Sequence, residues 1–568
     1  MSQSKSAVAD TFGVLVRLFF SRFFDKESLS PQGDPEANVI QTLGILAAPG
    51  GFISLLLYFN GQISAGWNLV SVRCLFLYLS MVVIGFIVVF EWDALFLDRR
   101  DYQVLLPLPL PLWKLFAAKM TAFVVFLGMF LAAINGIVTL LWSSVLDNGS
   151  FLAVTGTHLL VVLAAGVFSA FAAASIQGLL LIAVPARIFR VVATCTQTLL
   201  MSVLVMLFFV SPLFAGGIGM AVIHYPGLGR FVPAFWFTGL YELIRPAVRN
   251  SELLRLGHMA VPALGYAVAL FGLTHLPMYR RHVRKLVEAP PSNPSGPGRV
   301  RIAINGMVDR LLLKNPVQQA VYHYIGQTIC RSMKHRLFLA VYAGFGAALV
   351  LISLAPSFTL AGKGSSLTVV NLGLDRSELM RIPLTLSFVL VSGLRAAFNF
   401  PAELSSNWAF QMSDTNSTRQ CMIAMRKWTV ICGVVPLFLL LAPLQLAFFS
   451  VPMVLFQFLF GVTLSILLTE LMFFDFRKIP FTCGYFPEMN NLVWLVAIYV
   501  GGLVLYSREL AEFETWLMWE PFYAAAFLPA AGLVWMMFWK WHGRAKSQTS
   551  LDYLGDEDPV IRTLGLSH

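Results

Sequence analysis

About twelve stretches of this chain are almost entirely apolar, each close to the ~20 residues that a helix needs to cross a bilayer's hydrocarbon core. They lie near 41–60, 72–95, 114–142, 155–184, 191–215, 257–278, 337–355, 381–400, 428–449, 452–474, 490–506 and 517–540, each bounded by charge, Gly/Pro or polar residues. Soluble domains average about 45–50% apolar and about 25% charged residues. Here 58% of 568 residues are hydrophobic and 12% charged. The pattern predicts an all-α, polytopic membrane protein of about twelve transmembrane helices.

Orientation follows from Lys and Arg, which accumulate in short cytoplasmic loops. With the N-terminus inside, roughly 31 of the 40 Lys and Arg residues fall on the inner side. The main inner clusters are Arg99, Arg100 and Lys114; Arg187 and Arg190; Arg280, Arg281, Arg284 and Lys285; Arg426 and Lys427; and Arg477 and Lys478. Both termini are then cytoplasmic, and the location expected is the plasma (bacterial inner) membrane. The net charge of +11 reads as a topology signal plus attraction to anionic membrane lipids, with no basic domain for nucleic acid. Residues 1–40 lack the charged, apolar, small-residue succession of a cleavable signal, so the first span is expected to direct insertion and stay. The six cysteines are scattered without a C-x-x-C pair, which suggests reduced structural thiols.

A Pro/Gly/Ser stretch, EAPPSNPSGPGRV from Glu288 to Val300, reads as a linker between two sets of six spans. The expected organisation is a first half over 1–287, a cytoplasmic linker over 288–300, a second half over 301–546 and a cytoplasmic tail over 547–568. An amphipathic interfacial helix precedes each half. In the first, Asp10 is the candidate cap of a helix with Phe12, Leu15, Val16, Phe19, Phe20 and Phe23 on one side. In the second, Asn315 is the candidate N-cap and Pro316 the first helical residue, followed by Val317, Val321, Tyr324 and Ile325. The helices are offset by about 305 residues, and a similar offset sets Asp101-Tyr102 against Asn407-Trp408, as a 6+6 duplication would.

Catalytic chemistry has no foothold. The only Gly-Lys pair, Gly362-Lys363, has Ser357 where a P-loop needs glycine and Gly364 where it needs a hydroxyl. No zinc-protease, esterase-elbow or spaced Cys/His motif occurs, so no catalytic or metal site is expected. Ionisable residues within spans mark ion or substrate paths, and here they gather at helix ends. Glu91 and Asp93 close the second span, Glu403 follows the eighth and Glu470 closes the tenth. These four are the candidates for gating or a path; Asn135 and Gln177, deep in spans, read as interhelical hydrogen-bonding groups.

The loop from Phe90 to Lys119 reads FEWDALFLDRRDYQVLLPLPLPLWKLFAAK. Pro107, Pro109 and Pro111 forbid a continuous helix and favour an extended, stiff backbone. Asp98, Arg99, Arg100 and Asp101 supply mixed charge, while Tyr102, Val104 and Leu105 supply apolar contact for a soluble partner. The second-half counterpart, Glu403 to Lys427, contains Asn407, Trp408 and Phe410 but no proline after them.

At these residues the chain resembles the membrane subunits of ABC-2-type exporters, six-span permeases that pair with a separate ATPase. That family joins its second and third spans by a coupling helix, an L-x-L-P-[LV] stretch and a helix containing "aK". Asp98 to Leu106, Leu106 to Leu110, and Leu115 to Lys119 look like these three parts. The resemblance covers the first half in topology and about thirty residues in motif. It implies an ATP-driven export permease moving substrate by alternating access, with two ATPase copies bound at the two hinges. ATP and Mg would be held by those partners, and this chain would carry no cofactor. The residues themselves leave two alternatives: an ion-coupled secondary transporter, which needs buried carboxylates near the bilayer centre, and a non-transporting scaffold subunit. An outer segment, VPAFWFTGLYELIRP from Val232 to Pro246, is expected to form a short helix begun by Pro233, with Glu242 and Arg245 paired on its wet face.

Overall fold

A computed structural model describes residues 2–24, 69–95, 104–105, 107–145, 150–213, 229–246, 251–288, 306–313, 315–354, 358–362, 367–372, 376–402, 418–474, 476, 479–482 and 492–545. Ten of its helices are long and apolar enough to cross a membrane. The protein is therefore a polytopic helical membrane protein. The first predicted span, 41–60, lies outside the described residues. Contacts divide the chain into two compact units, residues 1–293 with 360–369, and residues 294–359 with 370–568.

Unit 1 contains α1 (Ser2–Phe24), α2 (Leu69–Phe90), α3 (Leu112–Val145), α4 (Phe151–Ala183), α5 (Ala186–Leu213), α6 (Pro233–Ile244) and α7 (Ser251–Glu288). The centre is α2, buried at nearly every position from Val70 to Val89 and touching α3, α4, α5 and α6. A helix apolar all round belongs inside such a bundle. The amphipathic α1 lies on α3: Leu15, Phe19 and Phe23 are buried, and Phe23 stacks on Phe126 with ring centroids 4.7 Å apart. Asp10 does not start this helix, which begins at Ser2 because Ser2 to Ala9 holds no glycine or proline to stop it. Gly239 of α6 and Gly257 of α7 bring two backbones together, and a Cβ on Gly239 would run into the Leu253 carbonyl and the Gly257 amide.

Unit 2 contains α8 (Pro316–Arg331), α9 (Met333–Leu354), α10 (Arg376–Phe398), α11 (Thr418–Trp428), α12 (Val435–Leu446), α13 (Val451–Met472), α14 (Leu492–Val504), α15 (Leu510–Trp519) and α16 (Pro521–Ala545), and between α9 and α10 run the strands β1 (Phe358–Gly362) and β2 (Leu367–Leu372), whose residues 360–369 fall in unit 1. The two strands form a two-stranded sheet, the one departure from the all-α expectation among the described residues. A π-turn at Thr429–Val434 joins α11 to α12, and another at Leu505–Glu509 joins α14 to α15. The second makes one continuous helix where a loop was expected between the eleventh and twelfth spans. Its charges do not end the helix because Arg508 and Glu512 pair along its exposed side at 3.6 Å. α10 is the central helix, touching α9, α12, α13, α14 and α15.

The expected start of α8 is present: the Asn315 side chain accepts from the Val317 amide at 2.9 Å, and Pro316 is the first helical residue. Asn315→Ala should cost about 1 kcal/mol. A thermal unfolding series in detergent that shows no loss would mean that packing alone fixes this end.

Candidate functional site

The described residues frame both hinges. α2 ends at Phe90, and Glu91, buried, extends its ladder by donating to the Ile87 carbonyl at 2.9 Å. The last carbonyls of a helix lack partners within it. Here Gln197 of α5 supplies one by donating to the Val89 carbonyl at 2.8 Å, and Gln177 of α4 donates to the Trp92 carbonyl in the turn that follows, at 2.9 Å. Trp92, Asp93 and Leu95 form a single 3-10 turn in which Trp92 and Leu95 are buried.

After the hinge, Leu105 is buried at 5% exposure while Val104 and Leu108 are exposed. Leu105 is thus an internal anchor and does not offer the outward contact expected of it. The prolines exclude helix up to Leu112, yet the backbone turns instead of extending. Leu108 donates to the Leu105 carbonyl at 3.3 Å and Leu110 to Leu108 at 2.7 Å. Asp98, Arg99, Arg100, Asp101 and Tyr102 lie outside the described residues, as do Glu403, Asn407, Trp408 and Phe410.

The second frame is aromatic. Phe481 has φ 68°, which is uncommon for a bulky residue and is strained. Two backbone bonds hold it: its amide donates to the Phe398 carbonyl at 2.9 Å, and its carbonyl accepts from Ala402 at 3.0 Å. Its ring packs on Phe398 at 5.4 Å and His335 at 4.6 Å. His335 Nε2 donates to the Phe400 carbonyl at 3.0 Å, so in the neutral ring Nδ1 accepts from Ser332 at 2.7 Å. Beside this cluster Glu470 is ion-paired with Arg426 at 2.5 Å, and Arg426 also reaches the Phe473 carbonyl at 3.4 Å.

The amphipathic helix α8 is tied to α11. Gln318 donates to Gln420 at 2.5 Å, and Lys427 donates to Gln318 at 3.0 Å and to the Leu312 carbonyl at 2.7 Å. Tyr322 lies 3.0 Å from the Cys432 sulfur. Burial first, and then this thiol, push the Tyr322 hydroxyl up from its ordinary value, so it stays neutral and able to donate.

Two buried ionisable groups, Arg73 and Glu514, escaped the reading of the sequence. Arg73 of α2, 1% exposed, is paired at 2.6 Å with Glu242 of α6, 0% exposed, and sits 4.2 Å from the centre of the Tyr241 ring. Glu242 is therefore enclosed and does not lie on a wet face, and the carbonyl of Arg245 accepts from Arg73 at 3.2 Å. Ser80 and Asn135 exchange a bond at 2.9 Å between α2 and α3, the interhelical role expected of Asn135. Glu514 of α15 is 0% exposed, and neither carboxyl oxygen has a hydrogen-bond partner among the described residues. Near it, Tyr506 meets Ser465 of α13 at 3.2 Å and Ser387 of α10 at 3.4 Å. This corrects the view that all the acids sit at helix ends. Among the described residues no group of three His, Cys, Asp or Glu is arranged to hold a metal ion.

No protein-family profile, no curated protein and no solved structure matches the chain.

Proposed function

We propose that this chain is the membrane subunit of an ATP-driven exporter of the ABC-2 type, built from two six-span halves and coupled to separate ATPase copies through its hinges. One observation carries the reading: buried residues stand on both sides of 96–103 in the chain. Trp92 and Leu95 precede it, Leu105 follows it, and Gln177 and Gln197 fasten the end of α2 to α4 and α5. In this reading a load on that loop would reach the central helix of unit 1 through Trp92 and Leu95, as rigid-body switching between packed elements requires. Duplication is supported by a shared pattern of neighbours. In each unit the amphipathic helix lies on the helix after the central one (α1 on α3, α8 on α11). Counting α11 and α12 as one helix through their π-turn, the central helix meets the one two places further on (α2 with α4, α10 with α13), which in turn meets the last (α7, α16). In this reading both termini face the cytoplasm of a plasma membrane.

Changing Asp98 to Asp101 together to alanine should lower recovery of the ATPase with the affinity-purified full chain at least tenfold, with membrane insertion unchanged. Equal recovery of the ATPase, identified by mass spectrometry, would sink the docking role.

A second reading, ion-coupled transport without an ATPase, draws on Glu514, the kind of buried intramembrane acid that marks ion paths. Cargo flux that persists in ATP-depleted vesicles under a proton gradient would favour it.

A further inference from the structure

Buried polar groups in native proteins nearly always have partners, and each exception needs a reason. Glu514 is such an exception. Both oxygens are enclosed and unpartnered among the described residues.

The helix is built to turn this acid inward. Along it the buried positions are Tyr506, Ala511, Glu514 and Leu517, with a step of five residues across the π-turn and three beyond it. In an unbroken helix of 3.6 residues per turn, positions eight apart fall about 80° out of phase. The extra residue of the π-turn cancels that difference and puts Tyr506 and Glu514 on one stripe facing α10 and α13. Such turns recur at functional sites.

The cations on the surrounding elements are committed elsewhere or exposed. On α10, Arg381 is paired with Glu378 at 2.6 Å, Arg395 donates to Tyr499 at 3.1 Å and Arg376 is exposed. On α13, Glu470 is held by Arg426. Arg508 and Glu512 pair in the open, Glu509 is exposed, and Tyr523 and Lys540 of α16 are exposed. Among the described residues, Tyr506 is left as the ionisable group within electrostatic reach of Glu514. Around Tyr506 the serine protons are already used, since Ser387 donates to the Leu384 carbonyl at 3.0 Å and Ser465 to Gly461 at 2.7 Å. The Tyr506 hydroxyl therefore donates towards the serines.

An ionised carboxylate enclosed without a partner is very costly. With no room opened to solvent, the cation that suits the site is the one that needs no volume. We propose that Glu514 is a proton-binding site: its carboxyl carries a proton while α15 is packed on α10 and α13, and gives it up when that packing opens to water. Binding is a simple protonation, with the released proton taken by water.

The test is infrared spectroscopy of the full chain in lipid vesicles at neutral pH, comparing wild type with Glu514→Gln. The carbonyl stretch of a protonated carboxylic acid should be present in wild type and lost in the variant. Glu514→Asp should keep a protonated-acid band at a shifted frequency, and it supplies the comparison if the glutamine variant does not fold. If the substitution removes only carboxylate bands, Glu514 is ionised in the packed state and the proposal fails. The spectra need neither cargo nor ATPase. A failed ATPase co-purification would leave this site standing, and a failed spectrum would leave the docking reading standing.

Discussion

Glu242→Ala is expected to destabilise the protein by about 3–5 kcal/mol, the cost of stripping one partner from a fully enclosed ion pair. Arg73 would stay enclosed at 1% exposure and lose the carboxylate that sits 2.6 Å away, keeping the Tyr241 ring and the Arg245 carbonyl among its contacts. Replacing both partners, as Arg73→Met with Glu242→Leu, should recover most of that loss, because apolar side chains of similar volume carry no desolvation cost. Equilibrium unfolding in mild detergent reads both results. If the single variant lost under 1 kcal/mol, water or lipid headgroups would reach this pair in the membrane.

The second large effect is at Phe481. Phe481→Ala removes a ring packed on Phe398 and His335 and should cost about 3–5 kcal/mol. Phe481→Gly loses the same ring but not the same amount of stability. A left-handed backbone costs about 1–2 kcal/mol for a residue with a Cβ, and glycine's extra unfolded-state entropy returns about 0.5–1 kcal/mol of that. Glycine should therefore be the more stable variant by about 1 kcal/mol, the reverse of its rank in a helix. Thermal unfolding of the two variants side by side checks the order, and alanine equal to or above glycine would mean that φ 68° is not held in the folded protein.

Apolar run length was enough to read the long helices from sequence, because lipid and a helix's rise leave little choice of length. Asn315 and Pro316 were legible for a similarly local reason: capping involves only adjacent residues. Arg73 and Glu242 were not, since they lie 169 residues apart and nothing in either neighbourhood announces the other. Glu242 was assigned to Arg245 by helical spacing, which holds on an exposed face, but α6 turns that face into the bundle. Glu514 was hidden in a stretch whose charges imitate a loop, and its inward direction depends on a π-turn that a 3.6-residue period cannot reveal. At the first hinge, proline chemistry indicated where helix stops but not the direction of Leu105, which is set by what packs around it.

The two π-turns also affect how the halves can be compared. Among the described residues both occur in unit 2, each adding a residue without adding a loop. A constant numerical offset between the halves slips by one position past Thr429–Val434 and again past Leu505–Glu509. Beyond those points it pairs an outward-facing residue of one half with a core residue of the other. An ancestral duplication would then be better traced by helix face, re-indexed after each insertion, than by counting along the chain.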